Sequence, residues 1–83
     1  MVRYLVNPTG SPKADAFLER MAVKGEAMTA ADAERLFDRE WWRIEAKRRE
    51  APGSAPDADY AAVLVGLAAM RSCARVEKET GTR

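Results

Sequence analysis

The chain has 83 residues, 47% of them hydrophobic and 33% charged, which is room for one small domain and too apolar for wholesale disorder. Fourteen Lys and Arg stand against thirteen Asp and Glu, so the net charge of +1 selects no partner by itself. Histidine is absent and Cys73 stands alone, which removes the commonest general base, the commonest neutral metal ligand and any disulfide within the chain.

In chain order, residues 2–6, VRYLV, are rich in β-branched and aromatic types and stop at Asn7-Pro8, which predicts a short strand. The chain offers this strand no clear partner. Either Arg3, Tyr4 and Leu5 present backbone groups for pairing with another chain, or the segment is an extended arm packed through Val2, Tyr4 and Val6. After the turn at PTGS, Ser11 suits an N-cap and Pro12 the first helical position, opening a helix to about residue 24. Ala14, Phe17, Leu18 and Met21 form its apolar stripe, and Gly25 is expected as its left-handed C-terminal cap.

A second helix is expected over 29–49, with Thr29 and Asp32 spaced as a capping box and Met28 stapled onto Ala33. APGSAP, residues 51–56, is a linker, and Ser54 or Asp57 caps a third helix over 57–79. The expected fold is mainly α: a three-helix small domain with a short N-terminal β-strand or extended arm.

The second helix carries adjacent tryptophans in EWWRIEAKRRE. Ala33, Leu36, Phe37, Trp41 and Ile44 fall on one arc, the core stripe, while Trp42 falls on the other side near Arg35, Asp38, Ala46 and Arg49. Trp42 is then either half-covered by the strand or by the stems of Arg35 and Arg39, or it anchors an interface. Arg35, Arg39, Arg43 and Lys47 recur every four residues as a ridge, with Arg49 beyond. Six acids and six bases lie between Thr29 and Glu50, acids early and bases late, an order the helix dipole favours without any ligand. The ridge is therefore either a self-paired solvated face or a surface for an acidic partner.

The third helix holds YAAVLVGLAAM, uncharged on every side. Ala58, Ala62, Gly66, Ala69 and Cys73 make a small-residue seam, expected to receive the rings of Phe37 and Trp41. Tyr60, Val63, Leu64, Leu67 and Met70 make a bulky face for Phe17, Leu18 and Met21 to cover. Whatever stays uncovered is a surface for a second copy or another partner.

No phosphate-binding glycine loop or calcium-loop spacing occurs, and Cys73 has no histidine to activate it, so neither an enzyme nor a cofactor is expected. Two helices joined near Gly25 resemble a helix-turn-helix only weakly, because the second opens with the small, acidic TAADAE rather than with base-reading residues. MVRYLVNPTG lacks a long apolar region and Tyr60–Met70 is too short to cross a bilayer, so a cytoplasmic protein with no membrane partner is expected. In size and lack of motif the chain resembles small inhibitors carried by phages or mobile elements. The expected function is a non-enzymatic protein-binding inhibitor or accessory factor, meeting an acidic patch through Trp42 and its cations, with a homodimer as a further possibility. The alternative is a nucleic-acid-binding module using Arg35, Arg39, Arg43 and Lys47.

Overall fold

Two side-chain oxygens set where the first two helices begin. Ser11 Oγ accepts the Ala14 N–H at 3.2 Å, with Pro12 next in line needing no partner for a missing N–H. Thr29 Oγ1 accepts the Asp32 N–H at 3.1 Å. The computed structural model describes residues 3–81, in which these caps open α1 (Pro12–Glu26) and α2 (Ala30–Glu50), and α3 (Asp57–Gly81) follows. Val2, where the expected strand starts, lies outside the described residues. Arg3 to Thr9 carries no regular secondary structure, and no strand occurs among the described residues.

Two local expectations are corrected. Gly25 is not a left-handed cap: α1 continues through it, and Ala27 closes the helix at φ −86°. A side chain at Gly25 would place its Cβ 2.5 Å from Phe37 Cζ, so this glycine serves close packing instead of a turn. Met28, expected to staple onto Ala33, is 39% exposed, while Ala33 is fully buried. Neither Ser54 nor Asp57 caps α3 with its side chain, since Ser54 Oγ and Asp57 Oδ1 are buried without a hydrogen-bond partner among the described residues. Main-chain bonds close that turn: Ser54 N–H donates to the Ala51 carbonyl at 3.2 Å and Asp57 N–H to the Ser54 carbonyl at 3.0 Å. Gly53, at φ 77°, reverses the chain between them.

The longest contact is between α2 and α3. Arg71 reaches Asp38 at 2.8 Å, while Arg75 and Lys78 both reach Glu34 at 2.7 Å, so later residues of α3 meet earlier ones of α2. That is an antiparallel hairpin with a fixed register. α1 runs the same way as α3: Ser11 Oγ donates to Asp59 Oδ1 at 2.6 Å, and one helical stretch on, Leu18 packs onto Gly66. The result is elongated, 44 × 21 × 16 Å.

Phe37, Leu18 and Leu67 lie at the centre of the core, one from each helix and all fully buried. Val63, Leu64 and Met70 bury the bulky face of α3 as its spacing implies, while Tyr60 is partly buried against the core. The small-residue seam behaves differently from expectation. Phe37 sits against Gly25 and edge-on to Tyr4, with ring centroids 5.1 Å apart, and Gly66 receives Leu18 of α1. Ala58, Ala69 and Cys73 are exposed. Gly66 follows from a local rule, a gap that some large side chain fills; which helix fills it is a matter of topology.

Candidate binding surface around Trp42

Trp42 and Trp41 are 100° apart on α2, and the structure uses that angle to bring the rings together. Their centroids lie 4.9 Å apart with the planes at 77°, an edge-to-face pair. Trp41 is partly buried against the core and Trp42 is 55% exposed. This corrects two expectations: Trp41 occupies the edge of the core instead of its interior, and Trp42 rests on Trp41 instead of standing alone on the far side. The ladder continues inward. Arg71 of α3 lies over the Trp41 ring at 5.3 Å and donates to Asp38 Oδ1 at 2.8 Å. Trp42 is thus a tryptophan presented to solvent on a support that ties both long helices together.

The cation ridge is mostly occupied by its own acids. Arg35 pairs with Asp32, and Arg43 donates from Nε and Nη2 to Glu40 Oε1 at 2.8 and 2.6 Å. Glu45 is buried, and its two oxygens separate Arg48 at 3.4 Å from Arg49 at 3.1 Å. Arg39 and Lys47 have no ion-pair partner among the described residues. Of these two, Arg39 precedes Trp42 by three residues and shares its face, whereas Lys47 lies about 140° around the helix. Arg35 and Arg49, two turns to either side of Trp42, return to its face. The Arg35–Asp32 pair is exposed on both sides, at 73% and 53%, and such a pair is worth at most about 1 kcal/mol, so Arg35 can be exchanged onto a partner's carboxylate at little cost. Arg49 is exposed as well, but its acid Glu45 is buried and is also held by Arg48.

The N-terminal residues divide by face. Arg3 and Leu5 point to solvent, Leu5 at 85% exposure, and Tyr4 is buried. Tyr4 N–H donates to Glu26 Oε2 at 3.3 Å, so that backbone group is engaged within the chain. Burial pushes the Tyr4 phenol above its usual range, with Cys73, Glu77 and Glu26 adding negative charge nearby. Its hydroxyl has no hydrogen-bond partner among the described residues.

Sequence reasoning missed Arg71 as part of the tryptophan platform. It sits 30 residues from Trp41, and only the register of the α2–α3 hairpin brings the two together. Among the described residues no group of three or more His, Cys, Asp and Glu is placed to hold a metal ion. No helix among them is long and apolar enough to cross a membrane. No family model, curated protein or solved structure matches this chain.

Proposed function

We propose that this chain is a small non-enzymatic protein-binding protein, acting as an inhibitor or accessory factor on a larger assembly, with Trp42 as its anchor. The carrying observation is the geometry of Trp42: 55% exposed, edge-on to Trp41, and accompanied on its own face by Arg39, which has no ion-pair partner among the described residues. A supported aromatic loses little conformational freedom on binding, and tryptophan and arginine are both enriched among interface hot spots. Arg35, Arg43 and Arg49 form a polar rim around that face, with the exposed Arg35–Asp32 pair the most readily exchanged, so the partner's matching patch is acidic. A cytoplasmic site of action and a mobile-element origin belong to the same reading, on the chain's small size and lack of motif.

The nucleic-acid reading draws less support. Arg43, Arg48 and Arg49 are held by the little-exposed Glu40 and Glu45, which leaves Arg39 and Lys47, without an ion-pair partner among the described residues, and the exchangeable Arg35; Lys47 faces away from the other two. So few phosphate contacts give a shallow salt slope and weak binding.

Immobilised chain is used to capture a partner from a lysate of the native host, alongside Trp42→Ala, and generic duplex DNA is titrated over 20–200 mM salt. The proposal expects a captured protein lost with Trp42→Ala and no DNA binding. Tight, steeply salt-dependent DNA binding with no protein lost on substitution overturns it.

A further inference from the structure

α3 is covered on two sides and open on a third. It carries no charge between Asp59 and Arg71, yet Val65 is 71% exposed and, further on, Val76 58%. Ala61, Ala69 and Cys73 lie exposed on the same helix, so small and apolar side chains meet solvent over some four turns. Leu5, 85% exposed, stands on the N-terminal segment alongside. Between that segment and α3 runs an apolar groove of about 360 Å³, bounded by Leu5, Val65 and Ala69 with Leu18 and Gly66 among its walls. A crevice of about 170 Å³ shares Leu5, Ala69 and Met70 with it and reaches Tyr4 and Cys73. Tyr4, whose buried hydroxyl lacks a partner among the described residues, lines that crevice.

We propose that this face takes a second copy of the chain, with α3 packed antiparallel to its counterpart across a two-fold axis at the level of Leu67. This is a surface separate from Trp42 and independent of what Trp42 binds. Self-complementarity is the first argument. The axis sets Val65 against Ala69 of the other copy and Val76 against Ala58, valine opposite alanine both times, with Cys73 against Ala61. It also brings the two N-terminal segments together, so Leu5 of each copy packs over the groove region of the other. A surface that meets itself in this way is isologous and closes at two copies.

Charge is the second argument. The stripe offers a charged partner nothing, and antiparallel helices oppose their dipoles. Area is the third. α3 from Ala58 to Val76 is about 28 Å long at 1.5 Å per residue. With the N-terminal segment beside it the face is about 20 Å wide, or about 1,100 Å² over both copies, just above the ~1,000 Å² a specific interface needs. A weak, micromolar dimer follows.

Light scattering of the full chain from 5 to 500 µM is expected to rise from 9.2 kDa toward twice that mass. Val65→Glu holds the chain at monomer mass while its circular dichroism stays that of wild type, Leu5→Glu weakens association at least tenfold, and Trp42→Ala leaves it unchanged. Register is tested with Ala61→Cys: oxidised with copper phenanthroline, the introduced thiol forms an intermolecular disulfide with Cys73 of the other copy. Within one helix those positions are about 18 Å apart, too far to bridge. Cys73 alone, and Ala46→Cys on α2, form no such efficient cross-link. Monomer mass at every concentration overturns the proposal, as does a dimer that survives Val65→Glu or is lost with Trp42→Ala.

Discussion

Trp41 and Trp42 differ in what their removal takes away. Trp42→Ala deletes one edge-to-face pair and exposed surface, a loss of about 1 kcal/mol. Trp41→Ala deletes packing at the core edge together with the platform under Arg71 and Trp42, a loss of about 2–4 kcal/mol. Thermal unfolding by circular dichroism separates them: the first lowers the midpoint by about 4–8 °C, the second by at least twice as much. Equal midpoints for the two variants would contradict the packing of Trp41 against the core edge. Gly25 gives a sharper test. Alanine is the better helix former by about 1 kcal/mol, yet its methyl group at this site meets Phe37 Cζ at 2.5 Å and the fully buried ring has nowhere to go. Gly25→Ala is expected to destabilise by about 1–3 kcal/mol, and a stabilised variant would mean the ring moves freely. The core roles of Leu36, Phe37 and Ile44 were legible from helical spacing. The stacking of the tryptophans was not, because the angle between Cα–Cβ bonds does not fix where two large rings turn.

At the scale of elements, Glu34 is the tie between α2 and the end of α3. Hydrogen bonds from Lys78 and then Arg75 hold its carboxyl below the ordinary carboxylate range. A carboxyl depressed in the folded state contributes stability above its unfolded pKa and loses it as the pH falls through the folded value. Stability therefore drops on the acid side, and Glu34→Gln flattens that part of the curve. The check is the unfolding midpoint of both proteins between pH 7 and pH 2.5; identical acid slopes would remove Glu34 from the account. Helix starts at Ser11 and Thr29 were readable because a cap is decided within four residues. Gly25 and the opening of α3 were misread because tertiary packing and main-chain turn bonds decide them.

For the whole molecule, sequence spacing divided α3 into a bulky face and a small one, and the bulky face is buried. It could not say which neighbour meets the small face. That depends on the hairpin register set by Asp38–Arg71 and Glu34–Arg75, contacts between residues 33 and 41 positions apart. The same register carries Arg71 to Trp41 and so builds the support beneath Trp42. The surface that was named from the composition of one helix is held in place by two.

The dissociation constant of the captured partner, measured by calorimetry for wild type and Trp42→Ala, tests the proposed anchor most directly. Loss of a central tryptophan costs about 2 kcal/mol or more of binding, which is about thirtyfold, while the fold loses about half that. The expected result is a Trp42→Ala chain that is folded at the assay temperature and binds at least thirtyfold more weakly, with Val65→Glu binding as wild type. An unchanged constant for folded Trp42→Ala would contradict the account and leave the paired tryptophans as packing alone.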